Sequence, residues 1–158
     1  MISDSVFIHE LSEVSTNFIG PSTSIWQFCV VLSGAKIGSN VNICSHCFIE
    51  NDVFIGNNVT IKNGNHLYDG LVIENNVFIG PGVIFTNDKY PRSKQKIKSP
   101  LKTYIQSGAS IGGGAVILPG ITIGKNAMIA AGAVVTKNVP EETLYLNELN
   151  TKQLPNTK

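Results

Sequence analysis

No stretch of this 158-residue chain approaches the roughly 20 consecutive apolar residues that a membrane-spanning helix needs, although 42% of its residues are hydrophobic. Asp4, His9 and Glu10 interrupt the N-terminus before an apolar leader segment can form, so we expect no secretory signal and a soluble, cytoplasmic protein. Net charge is only +1, which gives no overall pull toward nucleic acid or a membrane. Cysteine is scarce. The three residues, Cys29, Cys44 and Cys47, are odd in number, and the C-x-x-C spacing of the last two leaves a zinc or redox reading open. Cys29 and Cys47 are 18 residues apart at equivalent places of the repeat described next, which favours reduced core thiols made inert by burial.

Neither the 3.6-residue period of a helix nor the two-residue alternation of a simple strand organises the apolar residues. An aliphatic residue returns instead at every sixth position: Ile19, Ile25, Val31, Ile37, Ile43, Ile49, Ile55, Ile61, Leu67, Ile73 and Ile79, with Phe85 in the twelfth slot. A chain that lays down a short strand, turns a corner and does so three times per 18-residue coil produces this spacing, with one aliphatic per side pointing inward. A second inward set follows four residues behind and is mostly small, as a narrow triangular prism requires: Thr23, Cys29, Ala35, Val41, Cys47, Val53, Val59, Val77 and Val83. This is an internal repeat of the solenoid type, and 158 residues make one domain of it. Ile2, Ile8 and Val14 keep the period one residue out of phase and read as an imperfect capping coil.

After Phe85 the pattern stops. Residues 86–104 lack periodicity and hold six of the twelve Lys and Arg residues (Lys89, Arg92, Lys94, Lys96, Lys98 and Lys102), before the period resumes at Ile105 and runs to Val135. A long insertion in a compact repeat is more often functional than idle. We therefore expect an all-β domain over 1–139, with about seven coils and an external loop at 86–104, then a C-terminal extension over 140–158 with a short helix or strand near 143–149. Folding the register onto three sides puts Val30, Leu32, Phe48, His66, Tyr68, Ile84, Val116, Leu118 and Val134 outward on one side, an apolar face that predicts a closed homo-oligomer. Phe18, Phe54, Trp26 and Phe78 are apolar exceptions on the other two sides.

The corner leading into that face gathers Gln27 and Phe28, then Ser45 and His46, then Asn63 and Gly64 from successive coils, so His46 and Asn63 should be neighbours across one rung. A histidine there can take a proton near neutral pH, or can be a corner residue making one hydrogen bond. His66 faces outward where an interfacial role is favoured, His9 sits on the cap, and Asn65 occupies an inward slot where a buried amide needs partners.

Ile37-Gly38-Ser39-Asn40-Val41 and Ile123-Gly124-Lys125-Asn126-Ala127 resemble the signature of the hexapeptide-repeat acyltransferases. The resemblance covers about residues 2–139 and implies a left-handed parallel β-helix and a homotrimer with active sites between subunits. A γ-type carbonic anhydrase shares that fold, but His9 lies too early in the chain to join His46 and His66 as zinc ligands, so no metal is expected. A narrower resemblance rests on residues 24–28, 42–52, 68–70 and 85–93, which look like those of bacterial nucleotide-sugar N-acetyltransferases. It implies transfer from acetyl-CoA to the 3-amino group of a nucleotide-linked 3-amino-3,6-dideoxyhexose in surface polysaccharide synthesis. It further implies His46 as base, with Asn63 orienting the amine, and Trp26, Tyr68, Asp69, Asn87, Asp88, Tyr90 and Arg92 at the substrate. Gly113, Ala115, Ala131 and Ala133 would let the pantetheine arm approach, and Lys125 and Lys137 would meet the CoA phosphates. Residues 147–153, NELNTKQ, depart from the usual family ending near the adenine. A sugar or serine O-acetyltransferase and a non-catalytic β-helix assembly module are the alternative readings.

Overall fold

The computed structural model describes residues 3–95 and 99–146. The six-residue period becomes short strands on three parallel sheets, and each coil stacks on the coil before it. The first face holds eight strands, from Phe7–Ile8 through Ser24–Ile25, Asn42–Ile43, Thr60–Ile61, Phe78–Ile79, Ser110–Ile111 and Met128–Ile129 to Leu144–Tyr145. The second holds seven, among them Val30–Val31, Phe48–Ile49, His66–Leu67, Ile84–Phe85 and Val116–Ile117. The third holds five, from Lys36–Ile37 to Thr122–Ile123. The result is a parallel β-solenoid of about eight turns, in keeping with the expected left-handed β-helix.

The strands persist at two residues because their inward members fill the lumen. Ile25, Ile43, Ile49, Ile55, Ile61, Leu67, Ile73 and Ile79 are all fully buried, and equivalent slots pair from coil to coil, Ile25 with Ile43 and Ile43 with Ile61. Complete burial of such a side chain contributes roughly 1.5–3 kcal/mol. Polar residues in the lumen are all satisfied: among the described residues no buried side-chain N or O lacks a hydrogen-bond partner.

Three expectations are corrected. The stack reaches eight rungs on its first face rather than seven, because Leu144–Tyr145 in the extension pairs with Met128–Ile129 and the Tyr145 hydroxyl donates to the Val134 carbonyl at 3.0 Å. The external loop ends at residue 102, because Thr103 and Tyr104 already pair with Leu71 and Val72; buried Thr103 donates its N–H to Gly70 and accepts from the Gly120 N–H. Apolar exposure outside the second face is wider than expected. Ile84 and Val134 are exposed there; Phe18, Trp26, Phe54 and Phe78 are exposed on the other two faces as expected, and Phe7, Met128 and Leu144 on the first face add to them. The period constrains only inward residues, which is why the outward pattern was the weaker guide. Ile2, loop residues Lys96 and Lys98, and residues 147–153 lie outside the described residues.

Cys29 and Cys47 occupy stacked inward slots at 1% and 2% exposure. A hydrogen bond shared by the two thiols lowers Cys29 to about 7 and, with burial, raises Cys47. Access rather than acidity decides reactivity when a thiol is sealed in the lumen. Iodoacetamide should therefore add once to the native chain, at half-exposed Cys44, and three times after unfolding. Intact-mass spectrometry showing two or three adducts on the folded protein would contradict this packing.

Candidate active site along one edge of the prism

The edge between the first and second faces is a single column of corners. Successive coils are tied there by backbone bonds from His46 to Gln27, Gly64 to Ser45, Gly82 to Asn63, Gly114 to Pro81 and Gly132 to Gly113, each N–H donating to the carbonyl one rung earlier at 2.9–3.3 Å. Six consecutive rungs place one residue each in the left-handed region: Phe28 (φ 61°), His46 (62°), Gly64 (73°), Gly82 (60°), Gly114 (68°) and Gly132 (68°). A β-carbon in this conformation costs roughly 1–2 kcal/mol. Four rungs avoid that cost with glycine. The two nearest the N-terminus accept it and display an aromatic ring and an imidazole.

A β-carbon added at Gly64, Gly82, Gly114 or Gly132 would meet nothing within 4 Å, so below His46 the edge is an open, stripped run of backbone. Half-buried Gly113 and exposed Ala131 lie on it. His46 is exposed, its ring 5.0 Å from that of Phe28 at 47°, and among the described residues its imidazole makes no hydrogen bond. Asn63 is adjacent, but its Nδ2 donates to Ser45 Oγ at 2.6 Å and not to His46. Its Oδ1 and the Ser45 hydroxyl hydrogen stay available. Trp26 begins the same corner, Nε1 donating to Asn42 Oδ1 at 2.8 Å and its ring 5.3 Å from Phe7. The expected base, its neighbouring amide, Trp26, Gly113 and Ala131 thus share one edge.

The other named residues do not. Ala115 and Ala133 are fully buried in lumen slots, with their amides bonded to Gly112 and Ala130, so their side chains cannot touch a cofactor. Tyr68, Asp69 and Asn87 gather at the opposite edge of the second face, around a small cleft with Phe85 and Leu101. There the Asp69 carboxylate accepts the Asp52 N–H at 2.7 Å, and its own N–H donates to Glu50 Oε2 at 2.7 Å. Asp88 and Tyr90 follow in the external loop, the Asp88 carboxylate accepting the Tyr90 N–H, while Arg92 Nη1 donates to the Pro91 carbonyl. Lys102 pins the end of that loop to Asp52 at 3.5 Å. Lys137 lies on this second edge at the far end of the stack, and Lys125 lies on the third, beside left-handed Asn126. Sequence reasoning placed Phe28, Ser45 and Gly64 at this corner but gave them no role, and it did not connect Gly64, Gly82, Gly114 and Gly132 as one column; the signal was a return every 18 residues, interrupted only by the insertion.

A three-sided coil whose inward slots recur every six residues, with an open corner groove, defines a hexapeptide-repeat β-helix of the transferase type. The profile of the bacterial transferase hexapeptide (six repeats) family matches residues 18–51, 52–87 and 102–137, about two thirds of the chain, leaving out loop residues 88–101, and the protein belongs to that family. Among solved structures, it is similar to the acetyltransferase domain of PglB from Neisseria gonorrhoeae in complex with acetyl coenzyme A. That match has 22% identity and a TM-score of 0.50, and covers 89% of this chain and 53% of that one. It is also similar to a point mutant of AntD, an N-acyltransferase from Bacillus cereus, in complex with dTDP and coenzyme A. Here identity is 15% and the TM-score 0.52, covering 91% of this chain and 77% of that one. The chain therefore spans about half the length of the first, and at these identities the likeness is one of fold. Curated protein sequences give no match.

Proposed function

We propose that the protein is an acetyl-CoA-dependent N-acetyltransferase acting on the 3-amino group of a nucleotide-linked 3-amino-3,6-dideoxyhexose destined for surface polysaccharide. One observation carries the reading: His46 stands exposed at the head of an edge that four glycines strip to backbone, in a chain of the hexapeptide transferase family. The bare edge lets a thioester arm lie close to main chain, and the two similar structures, one in complex with acetyl-CoA and one with dTDP and CoA, support donor and acceptor classes of this kind. The acceptor nitrogen forms the new C–N bond to the thioester carbonyl and the C–S bond breaks. The proton lost by nitrogen passes to His46, which returns it to the departing sulfur as free CoA thiol. Asn63, whose Oδ1 can accept an amine N–H, orients the lone pair.

In one chain Tyr68, Asn87, Asp88, Tyr90 and Arg92 lie on or beyond the edge across the second face from His46. A homotrimer resolves this by setting the loop edge of one copy against the His46 edge of the next, with Lys125 and Lys137 reaching CoA phosphates from edges that a single chain holds apart. Asp69 would act there through its hold on the corner, since its carboxylate is already engaged.

Purified protein should sediment with the mass of three chains and release CoA thiol from acetyl-CoA when given dTDP-3-amino-3,6-dideoxyglucose or its galacto epimer. Turnover with hydroxyl acceptors and none with amino-sugar nucleotides would replace this reading with O-acetyl transfer. No turnover with either would leave the assembly-module reading.

A further inference from the structure

A general base usually has a third group that orients it, commonly a carboxylate or carbonyl hydrogen-bonded to the imidazole. His46 has none among the described residues, because the nearest amide, Asn63, is given to Ser45. What does touch the imidazole is the ring of Phe28, one rung earlier in the same column. Left-handed non-glycine residues recur elsewhere in the described chain, most often as asparagine, but on this edge they are Phe28 and His46 alone. Phe28 is 50% exposed, so burial does not account for its size, and it holds a left-handed backbone at φ 61° where four later rungs use glycine. Its corner is fixed from above by its N–H donating to the Leu11 carbonyl at 3.1 Å. Two successive rungs thus accept backbone strain and bring two flat rings together, tilted at 47° to each other, at the head of an otherwise bare edge. Strained residues that persist in this way cluster at functional sites.

We propose that Phe28 is a positioning residue: by packing against the imidazole it holds His46 in one orientation over the bare edge, the task that a hydrogen-bonded partner performs for other bases. The inference rests on the reading of His46 as base. An imidazole on an exposed corner has two free torsions, and only some settings aim a nitrogen down the edge; Phe28 narrows them without drawing on either ring nitrogen, so both stay free for the acceptor proton. It also predicts that the ring, rather than mere bulk, is what the position requires.

The test uses Phe28→Gly, Phe28→Leu and Phe28→Tyr in the full chain. Glycine suits the left-handed backbone, so Phe28→Gly should melt with the wild type. It should lose about 10- to 100-fold in kcat toward the dTDP-amino sugar, the range expected for a misplaced catalytic group, with KM for acetyl-CoA unchanged. Phe28→Leu should lose the same, and Phe28→Tyr should recover most of it. NMR of isotope-labelled His46 gives a readout independent of turnover. The ring-current displacement of its Cε1–H signal should be present in the wild type and Phe28→Tyr and lost in Phe28→Gly and Phe28→Leu. Wild-type kcat in both Phe28→Gly and Phe28→Leu, or a His46 signal indifferent to residue 28, overturns the proposal. If the wild type transfers no acetyl group to any amine, the functional reading fails, and the NMR signal alone decides whether Phe28 orients His46.

Discussion

Replacing His46 by glycine is expected to lower kcat by about 10²- to 10⁴-fold, the range for loss of a positioned base, while leaving the fold at least as stable as His46→Ala does. The two halves of this expectation have separate causes. His46 sits at φ 62°, where alanine keeps the β-carbon clash and glycine removes it. The difference should favour glycine by roughly 1 kcal/mol, less the backbone entropy that glycine surrenders on folding. The catalytic half follows from exposure and isolation: the imidazole makes no hydrogen bond among the described residues and overlooks the open backbone of Gly64 and Gly82. KM for either substrate should change far less than kcat, because a base acts on the transition state. Added imidazole should restore part of the rate to His46→Gly, whose missing side chain leaves room for it. A sugar amine that arrives neutral needs less help, since alignment with the thioester can itself supply about 7–11 kcal/mol. The loss would then fall at the lower bound. An unchanged kcat in both His46→Gly and His46→Ala removes His46 as base and leaves alignment as the source of rate.

How far the chain could be read without coordinates follows from which residues the lumen constrains. Each inward slot must be filled by an aliphatic or a small residue, so Ile19 to Phe85 and Ile105 to Val135 announce the coil and nearly fix its corners. His46 was legible for the same reason, because 18-residue stacking puts it over Gly64 and under Phe28. Outward residues obey no such rule. Lys125 and Lys137 differ by only twelve residues, yet they stand on different edges with one corner between them, and neither lies on the edge that carries Gly113 and Ala131. Ala115 and Ala133 look suited to a close approach by ligand in a Gly- and Ala-rich stretch, but their place in the six-residue count sends them inward. The last strand escaped the period altogether, since the closing rung needs only to cover the lumen: Leu144 stays outside and half-buried Tyr145 lies over the end.

The inward slot that breaks the rule leads to the largest expected change in stability. Asn65 is fully buried where the coils before and after it carry Cys47 and Val83. Its Nδ2 donates to the carbonyls of Lys62 at 2.6 Å and Gly80 at 2.9 Å, and its Oδ1 accepts the Val83 N–H at 3.0 Å. One amide thus closes its own corner and binds it to the next, the role that Thr23 plays two coils earlier through Gly38 and Val41. Asn65→Val fits the lumen by size and matches its neighbours, so a purely hydrophobic account predicts stabilisation. The hydrogen-bond account predicts the reverse, because Val83 N–H and the Gly80 carbonyl lose this partner in a corner that valine cannot hydrogen-bond. Each orphaned group costs about 1–3 kcal/mol, so the variant should lose about 2–5 kcal/mol. For a chain of this length that is a fall of roughly 5–15 °C in Tm, readable by calorimetry. Asn65→Thr, which keeps one acceptor and one donor, should recover part of the loss. Because Asn63 and Gly64 stand on the corner that Asn65 closes, Asn65→Val should also lower kcat well below the temperature at which it melts; a variant as stable and as active as wild type would show that packing, not the amide, sets this corner.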